Sequence, residues 1–288
     1  VTKIHLETFG VGKPIVLVHG WAMHTGIWRE FAKQLAQNYR VTCIDLPGHG
    51  RSEKIDPFTL ERISDELVNI IPPSPPFSKG GDCSLPSLGQ YVSSSPPFEK
   101  GGAGGICWLG WSLGATVVLD IADRYPERVS SLVLLAGNPS YTQTEQWPGM
   151  DTGLLDDFAG HLNKNCQATL LRFLSLQVNG LPDRKVLLKA LKESVFECDA
   201  PDENTLQGGL KILKEADLRP VLSGLTIPVS VILGGLDTLV PVAVGQKMQQ
   251  LLPSLELNII DRAGHVPFLS HSRETLAIIS RFMDEQCI

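Results

Sequence analysis

Long apolar runs are missing from this chain of 288 residues. No stretch approaches the roughly 18–20 consecutive apolar residues needed to cross a bilayer, so no membrane association is expected. Cysteine is sparse and scattered: Cys43, Cys83, Cys107, Cys166, Cys198 and Cys287 form no CxxC pair. Neither a zinc site nor a disulfide framework is suggested, and reduced thiols in the cytoplasm are the simplest expectation. A positive excess is lacking as well. The formal net charge of −6 leaves no global surplus of cations to neutralise phosphates, which argues against a nucleic-acid partner. Val1–Gly10, with Lys3, His5 and Glu7, shows no basic-then-apolar leader of the secretory kind. What remains, 43% apolar and 19% charged, is ordinary for a globular protein, and the length suits one large α/β core.

Short β-branched runs alternate with helix-like segments. Pro14–His19, Tyr39–Asp45, Ile106–Leu109, Val129–Leu135, Pro228–Leu233 and Glu256–Ile260 read as strands. Pro14–His19 is a continuous apolar run rather than an alternating one, as suits a strand covered on both faces. Ile27–Gln37, Leu60–Ile71 and about Ser112 to Tyr125 carry apolar residues at helical spacing. Strands separated by helices imply βαβ units and a mostly parallel central sheet flanked by helices.

Two stretches break the rhythm. Residues 137–218 show no strand but several helical patterns (Leu154–Leu162, Ala168–Leu176, Arg184–Phe196). They are expected to form a helical lid inserted into a core of residues 1–136 and 219–288. Residues 72–105 contain the near-repeat Ser74-Pro-Pro-Phe-Ser-Lys-Gly-Gly81 and Ser95-Pro-Pro-Phe-Glu-Lys-Gly-Gly102. Such a Pro, Gly and Ser composition cannot bury enough apolar surface to offset the entropy of ordering it. It stands in a helix-to-strand connection that normally needs about 2–6 residues. A tolerated surface insertion is the plain reading, because loop-closure cost grows only logarithmically with length. An extended proline-rich docking peptide is the other.

Gly110-Trp-Ser-Leu-Gly114 follows a strand directly and opens a helix. That context, more than GxSxG alone, marks Ser112 as a nucleophile lifted above the sheet on a strained turn. The flanking glycines are needed because side chains there would clash with the neighbouring strand and helix. A serine hydroxyl is a poor nucleophile at neutral pH without a base. In this arrangement the partners follow in the order acid, then histidine. His161, His265 and His271 lie downstream, and His265 stands in a loop just after the strand Glu256–Ile260, at the sheet edge where such sites assemble. His161 falls in the helical insertion, and His271 reads as a surface or capping residue at the start of the last helix. Asp237 follows the strand Pro228–Leu233 and is the expected acid. Its competitor Asp261 shares the loop of His265 and is too close to reach the far ring nitrogen. The backbone amides of Leu113 and of Trp21, in His19-Gly20-Trp21, are the expected oxyanion donors. His19 is read as a brace for that loop rather than a catalyst. The turn Asp45–Ser52 lacks the lysine pattern of a phosphate-binding loop.

Taken together, HGW at His19–Trp21, DLPGHGRS at Asp45–Ser52, GWSLGA at Gly110–Ala115, GGLDTLVP at Gly234–Pro241 and AGHVPFLSH at Ala263–His271 resemble the α/β-hydrolase superfamily. Within it, Trp108–Gly114, Leu171–Gln177 and Asn204–Leu218 are most similar to the pimeloyl-[acyl-carrier protein] methyl ester esterases of biotin synthesis. The resemblance covers nearly the whole chain outside residues 72–105. It implies hydrolysis of a methyl ester at the far end of a pimeloyl chain borne on acyl carrier protein, with no cofactor and no metal. It also implies an acyl site of Trp21, Ser112, Leu113, Phe173, Leu174, Ser175, Leu176 and Gln177. Read from the residues alone, Phe173, Leu174 and Leu176 are equally the core side of a helix. Arg172, Lys185 and Lys189 fall where the family offers cations to the acidic carrier, with Arg184 and Lys192 nearby; a solvated helix face is the alternative. One basic position of the family is Ala168 here, and lysine in place of arginine loses a bidentate fork. A monomer is expected. A broad short-chain carboxylesterase, a carbon–carbon bond hydrolase using the same triad, and a non-catalytic binder on this fold are the rival readings. Ser112 excludes a haloalkane dehalogenase, which needs a carboxylate at that position.

Overall fold

The strands are β1 (Leu6–Phe9), β2 (Lys13–Val18), β3 (Tyr39–Ile44), β4 (Ile106–Trp111), β5 (Val129–Leu135), β6 (Val229–Gly234) and β7 (Glu256–Ile260). This is a computed structural model, and it describes residues 2–71 and 105–285. The repeat-bearing stretch read above as an insertion lies outside them, apart from Gly105, as do Cys83 and Cys287. The strands form one sheet in the order β1-β3-β2-β4-β5-β6-β7, with only β1 antiparallel to its neighbour. The mostly parallel sheet expected from the alternating pattern is therefore present. β4 and β6 are buried along their whole length, which is why their sequences run apolar without alternation. The added strand is β1. Four residues with alternate side chains facing out carry too little apolar character to announce an edge strand.

Connection handedness places the helices. The chain steps one way from β2 to β3 through α1 (Arg29–Leu35), then back across β2 to β4 through α2 (Leu60–Ile70). Steps in the same direction follow through α3 (Leu113–Arg124), α8 (Arg219–Gly224) and α9 (Ala243–Leu251). Right-handed crossovers then put α1 on one face and the others on the opposite face. The packing agrees: α2, α3, α8 and α9 lie in a row, while α1 packs against α11 (Ser272–Glu285). A short helix, α10 (Pro267–Ser270), precedes α11.

Between β5 and α8 come α4 (Thr152–Leu162), α5 (Cys166–Gln177), α6 (Arg184–Val195) and α7 (Glu203–Glu215). Residues 137–218 hold no strand beyond an isolated bridge between Thr142 and Met150. Asp151, Asn165 and Asp202 cap α4, α5 and α7 by accepting amides of their first turns. α7 packs on α3, and α6 packs on the tight turn Thr25–Trp28 after β2. These helices thus sit at the carboxyl end of the sheet. No helix of the described residues is long and apolar enough to cross a membrane.

Candidate active site

The strand order reverses between β2 and β4, so their exit loops diverge and open a crevice there. Ser112 stands at that point. Its φ of 55° and ψ of −121° are left-handed values that a residue with a side chain rarely adopts. Strain of this kind costs on the order of 1–3 kcal/mol and persists only where the surroundings enforce it. They do so through close approach. A Cβ on Gly110 would lie 2.2 Å from Gly114 O, and one on Gly114 would lie 2.3 Å from Val18 O. Both glycines of the motif are therefore required by backbone packing of β2, β4 and α3, as the sequence pattern suggested.

His265 joins the serine to the acid. Its Nε2 is 2.9 Å from Ser112 Oγ and its Nδ1 2.8 Å from Asp237 Oδ2. A carboxylate only accepts, so Nδ1 carries the proton and Nε2 is free to accept from the serine hydroxyl. The Asp237 side chain is fully buried, and its other oxygen accepts the Leu239 and Val240 amides at 2.8 and 3.0 Å. Three donors thus converge on this buried carboxylate and compensate its removal from water. Asp261 is exposed and takes no part in this relay. His161 is exposed on α4 and bonds its own helix at Asp157 O, while the His271 ring lies by Ser270 Oγ at the start of α11.

The main chain of His265 is fastened at two points that sequence reasoning did not identify. Its amide donates to Gln177 O (3.2 Å), at the end of α5. Its carbonyl accepts from Trp111 Nε1 at 2.8 Å. Trp111 in turn belongs to a buried aromatic box with Trp28 and Phe268, whose ring centroids are 4.4–6.0 Å apart.

On the other flank, the loop after β2 presses on the nucleophile: a Cβ on Gly20 would be 3.1 Å from Ser112 Cβ. Neither the Trp21 amide nor the Leu113 amide donates to another group among the described residues. His19 braces the loop. Its Nε2 accepts the Leu46 amide (2.9 Å), so Nδ1 donates to Gly20 O (2.8 Å). Complete burial drives the pKa of His19 down to about 3, and that of His49, its ring tilted against the first with centroids 5.3 Å apart, equally to about 3. The polar groups of the Asp45–Ser52 turn are spent within the turn and on neighbouring segments. Asp45 accepts the Thr25 and Arg51 amides, and Ser52 Oγ donates to Asp45 O.

Inserted helices wall the site. The indole of Trp21 donates to Leu206 O (2.9 Å) and meets Phe173 edge-on at 4.8 Å, with Phe158 behind. Gly208 and Gly209 allow that approach: Cβ atoms there would fall 2.8 Å from Phe58 and 2.5 Å from Trp21. Phe173, Leu174 and Gln177 are buried, while Ser175 and Leu176 are half-buried. Gln177 is fully buried, yet neither atom of its amide has a partner among the described residues. Arg172, Lys185 and Lys189 are all exposed. The Arg172 guanidinium covers the Phe158 ring at 5.3 Å, and Lys189 lies 3.6 Å from Glu193. Of the cysteines, Cys43, Cys107, Cys166 and Cys198 are free thiols. Among the described residues no cluster of three His, Cys, Asp or Glu side chains is arranged to hold a metal ion.

Fold and site together define a serine hydrolase: the α/β hydrolase fold family matches residues 13–272, and the chain belongs to it. Within that superfamily it is closely related to the pimeloyl-[acyl-carrier protein] methyl ester esterases. It is 36% identical over 280 residues to the one from Methylococcus capsulatus, covering 97% of this chain and 98% of that one. To the one from Nitrosomonas europaea it is 36% identical over 271 residues, covering 94% and 95%. A solved esterase from Exiguobacterium antarcticum superposes with a TM-score of 0.78 at 20% identity, covering 98% of this chain and 96% of that chain. At that identity the likeness speaks for the fold alone. The chain is thus an enzyme of the esterase and hydrolase group with a Ser-His-Asp triad.

Proposed function

We propose that the chain hydrolyses the methyl ester of a pimeloyl group carried on acyl carrier protein, a cytoplasmic step of biotin synthesis performed by a monomer. The observation that carries the reading is the buried relay Ser112–His265–Asp237, with contacts of 2.9 and 2.8 Å, set beneath an aromatic wall of Trp21 and Phe173. The whole-length relatives named above act on this ester.

Ser112 Oγ attacks the ester carbonyl carbon while His265 Nε2 takes its proton. Asp237 holds the ring tautomer and stabilises the imidazolium without taking the proton itself. The unengaged Trp21 and Leu113 amides receive the oxyanion. His265 returns the proton to the departing methoxide, methanol leaves, and water admitted by the same base releases the free acid. Residues 137–218 serve as a lid whose face lines the acyl channel, with Trp21, Leu113, Phe173, Leu174, Ser175, Leu176 and Gln177 against the chain. The unpartnered Gln177 amide supports a polar contact within that channel. Arg172 leads from the surface to this wall, and exposed Lys185 and Lys189 on α6 give the acidic carrier its docking cations.

The test compares hydrolysis of pimeloyl-carrier methyl ester with that of a free short-chain ester, in wild type and in a Lys185→Glu, Lys189→Glu double variant. Faster carrier-linked turnover that falls selectively in the variant is expected. Equal turnover of both, untouched by charge reversal, would leave a general carboxylesterase. Ser112→Ala is expected to reduce either activity to background.

A further inference from the structure

Tyr141 carries a hydroxyl that the steps above leave unused. The residue is 3% exposed, and its Oη makes no hydrogen bond among the described residues. It lies on the loop leaving β5, which is tightly fixed. Trp147 Nε1 donates to Asn138 Oδ1 and Ser140 O at 3.0 Å, and the Met150 amide donates to Tyr141 O at 2.7 Å. Where the loop starts, a Cβ on Gly137 would fall 2.5 Å from Ala115 Cβ, so it abuts the first turn of α3. The phenol there faces the Ser112 and Thr116 hydroxyls and the Asn138 backbone. The Thr116 hydroxyl is likewise buried and unpartnered. Burial raises the phenol's pKa, so it stays protonated and able to donate. A buried hydroxyl without a partner is destabilising, and in a native structure it calls for a partner from elsewhere.

Strand order says which partner. The loop carrying Trp21 leaves β2, on one flank of β4, while the loop carrying Tyr141 leaves β5, on the opposite flank. A carbonyl oxygen turned toward the amides leaves the alkoxy oxygen on the other side of the reacting carbon. We propose that Tyr141 Oη donates a hydrogen bond to the alkoxy oxygen of the ester bound at Ser112, making it a catalytic residue for departure of the alcohol. The inference rests on Ser112 as nucleophile but not on the carrier or the pimeloyl chain. As the carbon–alkoxy bond breaks, its electron pair stays on oxygen, His265 Nε2–H delivers the proton, and the neutral alcohol leaves. Tyr141 keeps its own proton and stabilises only the charge that develops in between.

The experiment is the leaving-group dependence of kcat/KM for esters of one short acyl chain, from methyl to p-nitrophenyl, in wild type and Tyr141→Phe. A poor leaving group needs the donor and a good one does not. The variant is expected to lose about tenfold on the methyl ester, the worth of one neutral hydrogen bond, and under about threefold on the p-nitrophenyl ester. Its Tm is expected to hold or rise, since only an unpartnered hydroxyl is removed. No loss on any ester, an equal loss across the series, or a variant that fails to fold would each overturn the proposal. Simple esters suffice throughout, so absence of a carrier preference would sink the substrate reading while leaving this slope measurable.

Discussion

Because His19 holds the Leu46 amide with Nε2 and Gly20 O with Nδ1, it has no room for a second proton in the folded state. Its pKa, near 6.5 when unfolded, falls to about 3 on burial, and His49 behaves alike. A histidine depressed in this way binds its proton only in the unfolded chain between those values. Stability is therefore complete above about pH 6.5 and declines as pH falls toward 3. Integrating from pH 7.5 to pH 5.0 gives a loss of about 2 kcal/mol for each residue, roughly 4 kcal/mol for the pair. The perturbation that isolates one of them is His19→Gln, whose amide oxygen can still accept from Leu46 but does not titrate. Urea unfolding of wild type and variant at both pH values measures the difference, and titrations common to both cancel. The variant should lose about 2 kcal/mol less than wild type between the two. Identical losses would refute the claim that His19 is buried neutral in this tautomer.

Other substitutions read the site directly. Asp237→Asn keeps an acceptor for the Leu239 and Val240 amides but supports the wrong tautomer, so steady-state assays should show kcat falling about 10³–10⁴-fold with folding intact by circular dichroism. Trp111→Phe keeps the ring in its aromatic box but orphans the buried His265 carbonyl. A stability loss of about 1–3 kcal/mol in chemical denaturation, with a larger drop in kcat than change in KM, is expected. Gly209→Ala drives a methyl to within 2.5 Å of the Trp21 ring. Thermal melting should show destabilisation of about 1–3 kcal/mol, and activity should fall with displacement of the Trp21 loop.

The triad was legible because each member announces itself through local context: Ser112 between a strand and a helix, Asp237 and His265 just past later strands. Glycine spacing at Gly110 and Gly114 reports backbone crowding, which depends on chain geometry rather than on distant side chains. The pair Gly208-Gly209 carried the same signal. Each glycine within a helical pattern costs about 1 kcal/mol relative to alanine, so two in succession point to a close neighbour. What stayed hidden acts across long separations through the main chain. Any residue at position 177 presents a carbonyl, so nothing in the composition of α5 shows that it meets His265. Trp111 reads as the variable letter of GxSxG, and Tyr141 as one more aromatic after a strand. Lys185 and Lys189 look in sequence like any exposed helix lysines, and their surroundings on α6 leave that appearance unchanged.

The amide of His265 leans on the carbonyl of Gln177, so the general base belongs partly to the core and partly to the inserted helices. Those helices are consequently no detachable cassette that can be exchanged to retune specificity while the chemistry waits unchanged beneath. A graft must bring a helix end to the same place, or it delivers a new pocket over a misaligned imidazole. Yet the requirement falls on the peptide backbone, which every amino acid supplies. The exposed side chains along α5 are free to vary, provided the helix keeps its length, its buried face and its last turn.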